Sequence, residues 1–234
     1  MGYQDLPPDH TQGIEMEYFL EAIDYFSSLD QVMSGGIALI GLSFAGTLVL
    51  KLSTLSDKVC TVISMSANYY LTAPSPGLFY QGTRIPTPKF KESVEYRLDE
   101  RGGYIERDFF DTSDAVEPYA IPIESSRATF LLITGQDDLN VDAETCMRKY
   151  VARMTHCGRQ NKVSLLCFPK TGHFMDPPYG PQTFLYYNPI RKAVAAAGGE
   201  LLEQAAACEH CWNSILKFLD ENLPRNYVDI NSKL

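Results

Sequence analysis

The fold is most constrained by short apolar runs that alternate with helical stretches. Each run has the length and composition of one strand buried on both faces; the runs are Ile37–Ile40, Val59–Met65, Phe130–Ile133 and Val163–Phe168. Stretches typical of helices lie at 14–29, 44–54 and 142–157, and a last helix runs to about Leu223. This alternation predicts an α/β fold with a parallel sheet of about four core strands and helices on both faces.

The order of these elements predicts one α/β domain over residues 1–234, interrupted by one insertion. A leading helix at 14–29 precedes a strand, a helix and a second strand at 37–66. Residues 68–127 are rich in Pro, Gly and polar residues, which is typical of an irregular insertion. Residues 129–234 contain the remaining strands, the loops that follow them, the C-terminal helix and a tail.

Composition excludes several classes of protein. The net charge of −9 argues against nucleic-acid binding and against attachment to anionic lipid. No apolar run approaches the ~20 residues of a membrane helix, and no secretory signal opens the chain. The six cysteines are too dispersed for a disulfide scaffold and indicate reduced thiols in an intracellular protein; they are Cys60, Cys146, Cys157, Cys167, Cys208 and Cys211.

Cys208-Glu-His-Cys211 could form half of a metal site. No second cysteine pair is present to complete a tetrahedral centre. The segment continues into Trp212, Ile215 and Leu216 at helical spacing. We therefore expect a helix here, and no metal.

A serine lies directly after the first predicted strand, in Gly41-Leu-Ser43-Phe-Ala45-Gly46. A serine with small neighbours at a sharp strand-to-helix turn is typical of a nucleophile elbow, which points the hydroxyl out over the sheet. The alternative is an ordinary turn in which Ser43 caps the following helix.

An acid and a histidine follow the third and fourth strands. Thr134-Gly-Gln-Asp137-Asp138-Leu-Asn140 offers two carboxylates, of which the position of Asp138 suits a returning turn better than that of Asp137. His173 follows the fourth strand in Thr171-Gly-His-Phe. The order Ser43, Asp138, His173 is that of the α/β hydrolases.

This arrangement predicts acyl transfer without a cofactor. His173 would take the proton of the Ser43 hydroxyl, and Asp138 would orient and stabilise the imidazolium. The backbone N–H of Phe44 would supply one oxyanion donor, and a second normally comes from a loop after an earlier strand. The substrate would be an ester, thioester or amide.

Several stretches resemble the C-terminal domain shared by type I acyl-CoA thioesterases and bile-acid-CoA:amino-acid N-acyltransferases. The matching stretches are Glu17–Tyr25, Gly41–Gly46, Ile121–Glu124, Thr134–Asn140, Thr171–Tyr179 and Gly198–Glu200. The resemblance implies an incomplete α/β-hydrolase fold, acyl-CoA as substrate, and a triad of Ser43, Asp138 and His173.

The resemblance implies hydrolysis of fatty acyl-CoA to fatty acid and CoA, within fatty acid metabolism. The alternatives are transfer of the acyl group to taurine or glycine and a truncated paralogue without catalysis. The sequence departs from the family at Ala45, where Gly is usual, and at Phe44, where a basic residue is frequent. A cysteine nucleophile is typical of the conjugating enzymes, so Ser43 favours hydrolysis.

Family members carry an N-terminal β-sandwich domain and early strands of the hydrolase sheet. Only 36 residues precede Ile37, so we expect both to be absent from this chain. The strand at Ile37–Ile40 would then be an edge prone to self-association. We also expect the isolated chain to be weakly active or inactive, because the second oxyanion donor and part of the acyl pocket would be missing.

The chain ends in Ser232-Lys233-Leu234. A C-terminal Ser-Lys-Leu is a peroxisomal address that an import receptor reads. We therefore expect the receptor as a partner and the peroxisome as the location, with the cytosol as the alternative.

Overall fold

The computed structural model describes residues 13–33, 35–72, 77–91, 94–189 and 191–224. The helices are α1 (Met16–Ser27), α2 (Phe44–Ser53), α3 (Ala143–His156) and α4 (Leu201–Asn222). The strands are β1 (Ile14–Glu15), β2 (Ile37–Leu42), β3 (Val59–Met65), β4 (Leu78–Tyr80), β5 (Thr83–Arg84), β6 (Thr129–Gly135), β7 (Val163–Phe168), β8 (Leu185–Asn188) and β9 (Ala193–Ala196). The C-terminal Ser-Lys-Leu lies outside the described residues.

The centre is a four-stranded sheet in the order β2-β3-β6-β7, in which all neighbouring pairs are parallel. Alternate side chains of its strands face opposite layers, as the period of two requires. Val62 and Phe130 pack in the cluster that contains residues of α1, α2 and α3. Ile63 and Leu131 pack in the cluster that contains Cys211 and Ile215 of α4. The predicted α/β fold with helices on both faces is confirmed.

The element boundaries differ from the predictions at several ends. The leading helix begins at Met16 rather than at residue 14, because Ile14 and Glu15 pair in parallel with β4. It ends at Ser27 rather than at 29. β2 continues through Gly41 and Leu42, since the backbone ladder with β3 extends as far as Met65.

The insertion and the segment after His173 form two small sheets beside the central one. β1, β4 and β5 make a three-stranded sheet, and β8 and β9 make an antiparallel pair. The insertion also contains short 3₁₀ helices at Arg107–Phe109, Asp114–Tyr119 and Ile123–Ser125. Backbone hydrogen bonds join the insertion to β9, from the N–H of Tyr104 to the carbonyl of Val194 at 3.0 Å, and to the loop after β6, from the N–H of Glu106 to the carbonyl of Leu139 at 2.9 Å.

The first strand of the sheet, β2, pairs with β3 on one side, and no strand among the described residues pairs with its other side. Beside it lies an apolar groove of about 630 Å³ between α1, α2 and β2. Ile40 of β2 is 43% exposed. The predicted sheet edge is therefore present in the part of the chain that the structure describes.

All six cysteines are free thiols, and Cys208 and Cys211 lie within α4 as the helical spacing predicted. Burial raises the pKa of the Cys146 and Cys211 thiols to about 12, which keeps them protonated and unreactive. Among the described helices, none is both long enough and apolar enough to cross a bilayer.

Candidate active site

Ser43 occupies a strained turn between β2 and α2. Its backbone has φ 60° and ψ −122°, a conformation that L-residues rarely adopt outside functional sites. Its N–H donates to the carbonyl of Met65 at 2.8 Å, and its own carbonyl accepts from the N–H of Thr47 at 3.0 Å. The side chain makes no capping hydrogen bond to α2, so the serine is not held as a helix cap.

Two glycines allow this turn. A Cβ on Gly41 would lie 2.3 Å from the carbonyl oxygen of Ala45, and a Cβ on Gly46 would lie 2.7 Å from that of Met65. Both distances are too short for any side chain. Ala45 is exposed, which explains why a methyl group is accommodated there.

Asp138 and His173 form a buried pair at the ends of β6 and β7. Oδ2 of Asp138 lies 2.8 Å from Nδ1 of His173, and the two side chains are only 2–3% exposed. Oδ1 of Asp138 accepts from the backbone N–H groups of Asn140 at 2.8 Å and Val141 at 3.0 Å. Because an ionised carboxylate can only accept, Nδ1 carries the ring proton and Nε2 is left as an acceptor.

The neighbouring acid, Asp137, has another partner. Its Oδ2 accepts from the N–H of Gly199 at 2.7 Å, and its own N–H donates to the carbonyl of Thr171 at 2.9 Å. Asp137 thus holds the turn between β9 and α4. The structure places Asp138, and not Asp137, against the histidine ring.

Backbone contacts connect the serine turn to the histidine loop. The strand end after β3 lies between them: Met65 accepts from the N–H of Ser43, and the hydroxyl of Ser66 donates to the carbonyl of His173 at 2.8 Å. Among the described residues, the Ser43 hydroxyl makes no hydrogen bond to the ring of His173. The structure therefore joins two of the three predicted side chains directly and brings the third near them through the backbone.

Ser43 lines a cleft of about 510 Å³ under the insertion and β8. Most of the cleft wall is apolar, and its two charged side chains are Glu106 and Arg191; the other lining residues are Ile14, Phe44, Thr72, Phe90, Phe110, Tyr186 and Asn188. The N–H of Phe44 is the first amide of α2 and has no acceptor within the helix. This amide is therefore free of a helical acceptor, and its role as an oxyanion donor stays a prediction.

The charged residues of the cleft were not predicted from the sequence. Arg191 places its guanidinium over the rings of Phe90 at 5.5 Å and Phe109 at 5.1 Å. Burial and the adjacent Glu106 carboxylate raise the pKa of Tyr104 and of Tyr186, so both hydroxyls remain protonated donors. Glu106 and Arg191 lie outside the helices and strands, and no motif in the sequence marks them.

The sequence of the chain was compared with those of known proteins, and it matches one family. The model of the BAAT / acyl-CoA thioester hydrolase C-terminal family matches residues 14–225. Bile acid-CoA:amino acid N-acyltransferase of Mus musculus is 29% identical over 99% of this chain and 54% of its own length. Acyl-coenzyme A thioesterase 1 of Homo sapiens is 27% identical over 99% of this chain and 54% of its own length.

Among solved structures, the acylaminoacyl peptidase of Pyrococcus horikoshii superposes with a TM-score of 0.52 and 14% identity, over 91% of this chain and 28% of that chain. This likeness concerns the fold, which is an α/β-hydrolase fold with four strands of the parallel sheet in the described residues. The chain spans about half the length of the curated relatives that it matches. The family match over most of the chain shows that it belongs to the BAAT / acyl-CoA thioester hydrolase C-terminal family.

Proposed function

We propose that the chain is the catalytic domain of an acyl-CoA thioesterase, which hydrolyses fatty acyl-CoA to fatty acid and CoA. The observation that carries this proposal is the buried Asp138–His173 pair at 2.8 Å beside the strained turn of Ser43. The turn opens into a largely apolar cleft, which suits an acyl chain. The family provides the thioester as the substrate class.

In the first step, Oγ of Ser43 attacks the thioester carbonyl and its proton passes to Nε2 of His173. Charge then develops on the carbonyl oxygen, and in this proposal the N–H of Phe44 donates to it. The tetrahedral intermediate collapses, the C–S bond breaks, and the CoA sulfur leaves with the proton from His173. A water molecule repeats the sequence on the acyl-serine ester, which releases the fatty acid and restores Ser43.

The hydrogen bond between Ser43 and His173 has to form during this cycle. Such bonds are often long in structures without substrate and tighten in the complex. The carboxylate of Asp138 holds Nδ1 protonated throughout, so Nε2 is always the atom that exchanges the proton.

The second candidate is transfer of the acyl group to the amine of an amino acid. It replaces the attacking water by the amine and leaves all other steps unchanged. Relatives of both activities match this chain at 27–29% identity, so this comparison favours neither. We favour hydrolysis because the nucleophile is a serine and not the cysteine typical of the conjugating enzymes.

The decisive experiment measures CoA release from a panel of acyl-CoA thioesters by the full chain, by Ser43→Ala and by His173→Ala. We expect turnover in the variants to fall by orders of magnitude, on the order of 10⁴, or to the background rate. A fluorophosphonate should label the unmodified chain at Ser43 and should not label Ser43→Ala. Retained hydrolysis by Ser43→Ala would contradict the assignment.

Addition of glycine or taurine to the same assay separates the two enzymatic candidates. Conjugated product that grows with the amine concentration would favour transfer. An intact fold with neither CoA release nor labelling would favour a non-catalytic paralogue.

We also propose the peroxisome as the location, with the cytosol as the alternative. The basis is the sequence Ser232-Lys233-Leu234, and acyl-CoA chemistry suits that compartment. A reporter fused in front of the last residues should coincide with peroxisomal markers, and deletion of Leu234 should make it diffuse. An unchanged distribution after the deletion would refute the receptor interaction.

A further inference from the structure

We propose that Glu106 is a positioning residue: it holds the loop of Asp138 so that the Asp138 carboxylate stays against the ring of His173. The proposal rests on the proposed function, since it concerns the same site. Glu106 comes from the insertion and lines the cleft together with Ser43. Its contacts join three separate segments of the chain into one wall of the site.

The carboxylate of Glu106 accepts hydrogen bonds from four donors. Oε1 accepts from the hydroxyl of Tyr104 at 2.6 Å and from Nδ2 of Asn188 at 2.7 Å. Oε2 accepts from Nδ2 of Asn140 at 2.9 Å and from the hydroxyl of Tyr186 at 2.8 Å. Four donors use the full acceptor capacity of an ionised carboxylate.

The bond to Asn140 reaches the acid loop directly. The backbone N–H of Asn140 donates to Oδ1 of Asp138, whose other oxygen lies against His173. The backbone reinforces this link, because the N–H groups of Glu106 and Arg107 both donate to the carbonyl of Leu139, at 2.9 and 3.0 Å. A guanidinium nitrogen of Arg107 also donates to the carbonyl of Asp138 at 3.1 Å.

The amide of Asn140 shows how strongly Glu106 sets this arrangement. Asn140 is 3% exposed, and its Oδ1 is buried without a hydrogen-bond partner. A buried acceptor without a donor is unfavourable. The opposite amide orientation would turn Oδ1 toward the Glu106 carboxylate, where two acceptors would face each other. In the observed orientation Nδ2 donates both to the Glu106 carboxylate and, at 2.5 Å, to the hydroxyl of Tyr186.

The same saturation excludes a direct role of Glu106 in binding. All lone pairs of its carboxylate face protein donors, so it offers no acceptor to a substrate amine. Among the described residues, Glu106 also makes no hydrogen bond to His173, whose Nδ1 lies against Asp138. Its effect on catalysis passes through Asn140 and Asp138.

The test compares Tyr186→Phe, Tyr104→Phe and Glu106→Gln in the full chain. The two Tyr variants each remove one hydroxyl: that of Tyr186 bonds both Oε2 of Glu106 and Nδ2 of Asn140, whereas that of Tyr104 bonds Oε1 of Glu106. The first readout is the low-field proton NMR signal of Nδ1–H of His173, which is identified by its loss in His173→Ala. The second is kcat and KM for an acyl-CoA, and thermal unfolding checks that each variant is folded.

We expect Glu106→Gln to broaden or shift the His173 signal and to lower kcat by about 10²-fold, with a smaller change in KM, because a displaced catalytic group costs this much. Tyr186→Phe should follow in the same direction, and Tyr104→Phe should have the smaller effect. Exchanging donor and acceptor between residues 106 and 140 should restore part of the His173 signal. Asn140→Asp alone should disturb the signal, and the double variant Glu106→Gln with Asn140→Asp should recover it in part.

An unchanged signal and kcat in folded Glu106→Gln would overturn the proposal. Equal losses of the His173 signal and of kcat in Tyr104→Phe and Tyr186→Phe would also overturn the proposal. They would indicate that the bonds around Glu106 stabilise the fold in general and do not act on Asp138 through Asn140. The NMR signal does not depend on turnover. If the unmodified chain releases no CoA while Glu106→Gln still loses the His173 signal, the positioning role stands and the proposed function fails.

Discussion

At the scale of single residues, two adjacent acids are separated by their partners. Asp138 lies against the ring of His173, whereas Asp137 accepts from the N–H of Gly199. We expect Asp138→Asn to lower kcat by on the order of 10⁴, because the amide no longer selects the tautomer with a basic Nε2. Asp137→Asn keeps an acceptor oxygen for Gly199 and should change kcat little. Steady-state CoA release measures both, and a larger loss in Asp137→Asn would reverse the assignment.

Arg191 gives a second prediction at this scale. Its guanidinium lies over two aromatic rings in a cleft whose other charged side chain, Glu106, is saturated by protein donors. We expect Arg191 to bind a phosphate of the substrate.

Arg191→Ala should raise KM for acyl-CoA by about tenfold, the equivalent of ~1.4 kcal/mol, and should leave KM for a small uncharged ester unchanged. Arg191→Lys, which keeps the charge but loses the planar stacking, should be intermediate; equal changes for both substrates would contradict a phosphate contact.

The sequence predicted residues that follow a strand end. It did not predict residues that reach the site from the insertion or from the turn between β8 and β9. Asp138 and His173 are found by counting from an apolar run, because the sheet fixes where each loop starts. Glu106 and Arg191 are placed by contacts across long sequence separations, such as that of Glu106 with Asn140. Local composition carries no record of such contacts.

At the scale of elements, the turn between β2 and α2 depends on the absence of a side chain at Gly41. We expect Gly41→Ala to displace the turn, since the new Cβ would lie 2.3 Å from the carbonyl of Ala45. Overpacking of this kind costs typically about 1–3 kcal/mol of folding stability. Labelling of Ser43 by a fluorophosphonate should slow in parallel. Ala45→Gly is the comparison variant: Ala45 is exposed, so the change should cost only the lower helix propensity of Gly, up to about 1 kcal/mol, without slowing the labelling. Equally slow labelling in both variants would contradict the steric reason.

The strands that were predicted well are those that form a continuous apolar run in the sequence. β3 and β7 have the predicted ends, Val59–Met65 and Val163–Phe168, since each is an apolar run in the sheet. β8 was not predicted, because in Leu185–Asn188 exposed and half-buried positions alternate over only four residues. β1 was assigned to the leading helix, because its two residues have the same apolar-acidic pattern as the helix that follows.

At the scale of the whole molecule, the side of β2 away from β3 pairs with no strand among the described residues and lies next to an apolar groove. An uncovered strand edge is a template for pairing with another chain.

We expect the purified chain to self-associate with rising concentration, as measured by sedimentation velocity. Ile40→Lys should shift the equilibrium toward monomer without loss of folding stability, because Ile40 is already 43% exposed and a charge at an edge opposes strand pairing. Leu202→Lys places the same charge at an exposed apolar residue at the start of α4, outside the residues that line the groove, and should leave association unchanged. A chain that stays monomeric at all concentrations, or equal effects of the two lysines, would show that the open edge does not drive association.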